Sequence, residues 1–300
     1  MKAVQWTVFI DMLGFSELNS KVVSDSQASE LIEFMNSNLS FMGRYEGEVR
    51  AAYEGGRGFN LYEWYDVKTT FISDSLVLTF KPREVERKEP ADKVLMHSAN
   101  ALMLIGWRLM ELMQKCLAEQ RIIFRGGVST EYCDIEGNFA VGKGLSLAHH
   151  AESKKAIFPR LVLADDVLRN QPLIDKIKWL YRKMYGRNNF IQRDGGVWAV
   201  NILQLMLASA DPSSPSVKWQ MKDFSVREKI IKSRVKVEEM LSRQKELIRS
   251  SISVNYASYR AGYADVNKRE LHRKILKKYF WLRRSHNNEI SKFNYDQFKV

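Results

Sequence analysis

Apolar positions come first in short dense runs, then at three- and four-residue spacings. Residues 4–10 are apolar and β-branched, too short a run for a helix, and end at Asp11. They predict a buried central strand. Met12-Leu13-Gly14-Phe15-Ser16 reads as a tight turn into a helix over 26–44, with Leu31, Phe34, Met35 and Leu39 on one face. Gly47, Gly55, Gly56 and Gly58 make 45–60 a predicted loop. Aromatic and β-branched residues over 61–72 and 76–80 flank Ser73-Asp74-Ser75, a hairpin with an acid at its tip. A charged loop over 81–89 leads to a long helix over 93–119, where Leu95, Ala99, Leu102, Ile105, Leu109, Leu112 and Cys116 repeat at helical spacing.

Further on, 121–132 predicts a strand interrupted by Gly126-Gly127, and 139–141 a short one. A helix over 145–153, a strand over 161–163 and a hairpin around Asp194-Gly195-Gly196 (190–201) follow. Ser213-Ser214-Pro215-Ser216 looks like a linker. Beyond it lie two predicted helices, 226–249 and 266–285, free of Pro and Gly. No internal repeat is found. The order contains a split βαβ unit, the plan of ferredoxin-like and palm-type α+β folds, in which a mainly antiparallel sheet packs on helices. The expected division is a main domain over 1–212 and a helical C-terminal region over 213–300.

Composition narrows the class. The chain has 300 residues, 45% hydrophobic and 27% charged, enough to build a core and wrong for a disordered or fibrous protein. The longest nearly uncharged apolar stretch, 99–107, is far short of the ~20 residues a membrane span needs. The first residues lack a signal-peptide pattern. Two cysteines, Cys116 and Cys133, make neither a disulfide framework nor a CxxC zinc site. A soluble, cytoplasmic protein is expected. The net charge of +12 sits wholly in residues 217–300, which carry 21 Lys+Arg against 9 Asp+Glu. That tail is either a solvated helix face or a contact for a polyanion or anionic membrane.

Asp11 and Asp74 stand out by position, at neighbouring strand ends in the palm arrangement. Paired carboxylates repel unless a cation lies between them, and a divalent ion is the usual solution. The Gly14 turn offers backbone N–H groups to phosphate, and a residue without a Cβ permits close approach. Together these parts would hold a metal–triphosphate for in-line attack at an α-phosphorus. The alternative is that both acids merely cap turns.

Several segments resemble a known family. Phe9-Ile10-Asp11-Met12-Leu13-Gly14-Phe15-Ser16 is similar to the first metal motif of class III nucleotide cyclases, and Ile72-Ser73-Asp74-Ser75 to their second. Phe124-Arg125-Gly126-Gly127-Val128-Ser129-Thr130 and the segment from Val141-Gly142-Lys143-Gly144 to Ala151-Glu152 resemble the later strand and helix of that domain. More narrowly, the chain resembles the Pycsar pyrimidine cyclases of bacterial anti-phage defence, with which 190–201 and 278–287 also share likeness. The resemblance implies conversion of UTP or CTP to the 3′,5′-cyclic monophosphate in a homodimer. Two Mn²⁺ or Mg²⁺ ions per site would be held by Asp11, Asp74 and Met12. The product would act on a separate effector during infection, and no stable nucleic-acid partner is implied. It places Phe9, Met12, Gly14, Phe15, Ser16, Thr70 and Phe139 around the nucleotide. UTP is favoured over CTP on resemblance alone.

The departures matter. Thr70 and Phe139 stand where adenylate cyclases carry their base-reading Lys and Asp. A site built to pair a purine edge would lose its polar partners there. Ser146 and His150 stand at the Asn and Arg that stabilise the transition state in those enzymes, so another cation is needed. Arg125 is the candidate, with Gly126-Gly127 expected to leave space beside it; its plainer reading is a cross-sheet salt bridge. His150 is a second candidate or a surface group. The near P-loop Gly137-x4-Gly142-Lys143-Gly144 lacks the Ser or Thr for Mg²⁺. Two other functions stay open: a non-catalytic nucleotide-binding or dimerising module on the same fold, and a nucleic-acid binder acting through the tail, where Tyr279, Phe280 and Trp281 would stack bases.

Overall fold

The computed structural model describes residues 2–54, 60–84, 89–262 and 265–300, without the side chains of 45, 52–54 and 224–226. The predicted strand near the N-terminus is β1 (Trp6–Leu13). It pairs antiparallel on one side with β3 (Ser75–Pro82) and on the other with β4 (Ile123–Ser129). β2 (Tyr65–Ile72) forms the hairpin with β3. The order β2-β3-β1-β4, with helices crossing between β1 and β2 and between β3 and β4, is the ferredoxin-like arrangement expected from the sequence. β7 (Leu161–Leu163) adds parallel to β4. β9 (Val197–Val200) and β8 (Ile191–Asp194) close a seven-stranded, mainly antiparallel sheet. β5 (Asp134–Glu136) and β6 (Phe139–Val141) form a separate two-stranded hairpin.

Period-2 alternation gives the sheet a core face and a second face. Trp6, Val8, Ile10 and Met12 of β1 join Leu76, Leu78 and Phe80 of β3 in the buried core. The helices are α1 (Phe15–Ser20), α2 (Asp25–Glu54), α3 (Ala91–Gln120), α4 (Lys143–His150), α5 (Asp165–Arg169), α6 (Gln171–Tyr185), α7 (Ile202–Ala210), α8 (Pro215–Gln220), α9 (Phe224–Ala261) and α10 (Val266–Ser291). α3 supplies Leu102, Ile105, Leu109 and Leu112 to the core, each less than 2% exposed. Each such side chain contributes about 1.5–3 kcal/mol by leaving water. α9 reaches the same core with Val237, Met240, Leu241, Leu247 and Ile248.

Four expectations are corrected. β1 runs past Asp11 to Leu13, so Asp11 sits within the ladder opposite Ser75 and Arg125 rather than ending the strand. The predicted loop at 45–60 is helical as far as Glu54, because Met42 and Val49 keep core contact along α2 and outweigh Gly47. Gly55, Gly56 and Gly58 of that loop, and 85–88 of the charged loop, lie outside the described residues. The serine cluster is packed rather than extended: Ser214 is buried, donates to the Ala208 carbonyl and precedes Pro215 at the start of α8. Helices α9 and α10 outrun their predicted ends at 249 and 285.

Candidate active site

Register on β1–β4 sets the second face in rows. Residues directly opposite each other share a face. One row reads Thr70, Val77, Phe9, Gly127 across β2, β3, β1 and β4. The next, one pleat further along, reads Ile72, Ser75, Asp11, Arg125. Asp74 lies in the two-residue turn between Ile72 and Ser75, beside that second row, where Ser73 takes φ 57°. The two candidate acids are thus neighbours at one end of the sheet.

Arg125 is the hub. Its Nε donates to Asp11 Oδ2 at 2.8 Å, and Glu152 Oε1 lies 2.8 Å from the same nitrogen. The N–H is directed at Asp11, so Glu152 Oε1 is an ion-pair contact without a hydrogen bond. Glu152 is 3% exposed and follows α4 in a single π-helical turn (Ala151–Lys155). Its carboxyl pKa is raised chiefly by burial; Arg125 opposes this, Asp11 and Asp74 reinforce it, and Lys278 opposes it. The last of these groups comes from α10. Lys278 is half-buried, and burial and Arg125 lower its pKa against the pull of Asp11 and Glu152. Three carboxylates and two cations therefore share one electrostatic site.

The glycine pair does not leave the expected space beside Arg125. A Cβ on Gly127 would meet the Ala148 carbonyl oxygen at 2.0 Å, and one on Gly126 would meet Phe9 O and Ile10 Cδ1 at 2.5 Å. Gly127 lets α4 press on the sheet, which is what delivers Glu152, while Gly126 makes room for Phe9, Ile10 and Leu161. Gly14 takes φ +100° and its carbonyl accepts from Glu17 and Leu18, fixing the turn out of β1. Phe15 packs against the core and Ser16 is exposed.

The remaining candidates divide. Phe9 shares the face of Asp11, its ring edge-on to His149 with centroids 5.0 Å apart. Thr70 is buried in the same row. Met12 turns its side chain into the core, which leaves only its backbone carbonyl for a ligand. Phe139 stands apart, 78% exposed on the β5–β6 hairpin. His150 is exposed. Lys143, from the near P-loop, is paired with Glu131 at 3.0 Å.

Among the described residues, no three His, Cys, Asp or Glu side chains are disposed to hold a metal by themselves. The donors nonetheless suit a hard cation that completes its coordination with other oxygen ligands. Asp74 has no hydrogen-bond or ion-pair partner among the described residues. A buried carboxylate oxygen of Glu152 without a hydrogen bond lies in the same cluster. Asp11, Asp74 and the Met12 carbonyl would hold Mg²⁺ or Mn²⁺ there.

Sequence reasoning did not single out Glu152 or Lys278, which the fold brings into the electrostatic surroundings of Arg125. Glu152 had a signal: an acid closing a helix whose Ala148 must pass close to the Gly127 backbone. Lys278 had one in its spacing to Trp281, Leu282 and Ser285, one helix stripe.

No protein-family model and no curated protein matches the chain. Among solved structures it is distantly similar to the crystal structure of the guanylyl cyclase Cya2, at 12% identity, with 67% of this chain and 94% of that chain covered and a TM-score of 0.34. Among the described residues no helix is long and apolar enough to cross a membrane.

Proposed function

We propose that the chain is a nucleotide cyclase that converts UTP, or in the alternative CTP, to its 3′,5′-cyclic monophosphate and pyrophosphate. The observation that carries this reading is the row through Asp11 and Arg125 with Asp74 at its turn. In the reaction the ribose 3′-oxygen bonds to the α-phosphorus, the bond to the β-phosphate oxygen breaks, and the hydroxyl proton passes to water. Asp11 and Asp74 would hold a divalent ion, which would supply Lewis acidity and phosphate neutralisation when bound. Arg125 orients Asp11 through its Nε bond and places positive charge beside the developing charge of the α-phosphate. Gly14, Phe15 and Ser16 lie just beyond β1, where the outer phosphates would run. Phe9 and Thr70 wall the same face. Thr70 and Phe139 offer no ionisable group to a purine edge, which supports a pyrimidine. In this reading residues 1–212 carry the catalytic sheet, and a homodimer brings the exposed Phe139 hairpin to a neighbouring site. The product is a messenger for a separate effector in anti-phage defence, made in the cytoplasm.

The Asp11–Arg125 ion pair favours one second reading, a nucleotide-binding module in which Arg125 replaces the cation. Incubating the protein with each of four nucleoside triphosphates and Mn²⁺, then separating products, distinguishes the two. Cyclic UMP or cyclic CMP supports the cyclase. Binding of a triphosphate without any cyclic product supports the module. A purine product alone overturns the pyrimidine assignment.

A further inference from the structure

The C-terminal helix lies beside the site. Lys278, Trp281, Leu282 and Ser285 fall on one stripe of α10. Trp281, Leu282 and Ser285 line a cavity of about 90 Å³ whose wall also contains Arg125. The stripe is clamped one turn beyond Lys278. Trp281 Nε1 donates to Asp194 Oδ2 at 2.7 Å, and its ring stacks on Phe158 with centroids 5.1 Å apart and planes within 4°. Arg160 bonds the same Asp194 at 3.1 Å, while its carbonyl accepts from Gly126 N, the residue after Arg125. Along β4, β7 pairs only with Gly126, Gly127 and Val128, so among the described residues no strand covers the β4 edge beside Arg125. α10 faces Arg125 there across the cavity. Lys278, half-buried, interacts there with Asp11, Glu152 and Arg125.

We propose that α10 carries Lys278 into the catalytic cluster as the cation that receives the phosphates of the bound nucleoside triphosphate. This rests on the reading above and deepens it: the basic tail is part of the site, not an appendage. Asp11 and Glu152 offset only part of the cost of holding a half-buried ammonium beside Arg125, so the site is short of negative charge before substrate arrives. A triphosphate entering beside Asp11 takes over that ammonium as a ligand.

The test uses the full chain and 3′-deoxy-UTP with Mg²⁺, which binds but has no 3′-hydroxyl to attack. Lys278→Met keeps the aliphatic stem and removes the charge. Its affinity for 3′-deoxy-UTP is expected to fall about 10–100-fold, with uridine binding unchanged and Lys278→Arg restoring most of the loss. Arg283→Ala, on the exposed side of α10, is expected to bind as the native protein does. Unchanged triphosphate affinity in Lys278→Met overturns the proposal. So does an equal loss for triphosphate and uridine, which would mark a structural role. The native protein's own turnover of UTP and CTP is measured in parallel. Cyclic product with a Lys278→Met affinity equal to native sinks only the Lys278 assignment. A charge-dependent affinity without cyclic product sinks only the cyclase reading. A native protein that binds no triphosphate sinks both.

Discussion

Asp11, Arg125 and Glu152 form the unit on which the site turns. Glu152 is nearly inaccessible and one of its oxygens lacks a hydrogen bond. Burial raises its pKa, and Asp11 and Asp74 add to the shift against Arg125. Below the unfolded carboxyl value both states are protonated and the group contributes nothing. As pH rises past that value the unfolded chain ionises first, so stability falls until the folded carboxyl also ionises. Glu152→Gln is therefore expected to raise the melting temperature at pH 7, with the gain shrinking toward about pH 4. A lower melting temperature at pH 7 would contradict the direction. His97 acts at the same scale in the core. It is 5% exposed, its ring centroid is 4.0 Å from that of Trp64, and burial pushes its pKa down to about 4. Above the unfolded value near 6.5 both states are neutral. Below it the unfolded chain takes the proton first, and on the order of 2–3 kcal/mol is lost by pH 4. Urea melts of native protein and His97→Asn across that range are expected to show a shallower loss in the variant. Parallel curves would remove His97 from the account.

At the scale of elements, the contact between β4 and α4 sets the site. The bare Cα of Gly127 leaves room for the Ala148 carbonyl oxygen, which would lie 2.0 Å from a Cβ placed there. Gly127→Ala must push α4 outward and carry Glu152 away from Arg125. A loss of about 1–3 kcal/mol is expected, read from denaturant midpoints, and retention of native stability would refute the close packing. The elements also explain what was legible beforehand. β1, the β2–β3 hairpin and α3 were readable because their apolar residues keep a clean period and end at turn residues. Asp74 and Arg125 were readable because they sit in a hairpin turn and beside glycines, and Asp11 because it is an acid following the apolar run of β1, although that strand continues past it. α6 escaped notice although Leu173, Ile174, Ile177, Tyr181 and Tyr185 are buried at helical spacing, since interleaved charges dilute the pattern. The end of α2 was misread because local glycine content was weighed above tertiary contacts. Glu152 and Lys278 were not readable as a pair, because 126 positions of chain separate them and only the packing of α10 on the sheet unites them.

Across the whole molecule, the basic tail is tied to the body by apolar and polar contacts alike. Val237, Leu241, Ile248 and Ile290 lie in the same core as the sheet. His286 is buried, with Nδ1 3.0 Å from Gln244 Oε1 on α9 and Nε2 3.0 Å from the Phe298 carbonyl. Ending the chain at Ser216 exposes that surface, so the truncated protein is expected to lose its cooperative melt rather than survive as a stable catalytic fragment. A truncated chain with native stability would show that the helices are dispensable to the fold. The full charge of +12 is thus spent partly inside the structure, through Lys278, and partly on the outer faces of α9 and α10.

The central claim is that Asp11 and Asp74 jointly hold cations under a nucleoside triphosphate. Mn²⁺ binding to the full chain, followed by electron paramagnetic resonance in the presence of 3′-deoxy-UTP, tests it most directly. The expected result is tight nucleotide-dependent Mn²⁺ binding in the native protein that is lost in both Asp11→Asn and Asp74→Asn, with folding intact by circular dichroism. Native-like Mn²⁺ binding in either variant would contradict the claim.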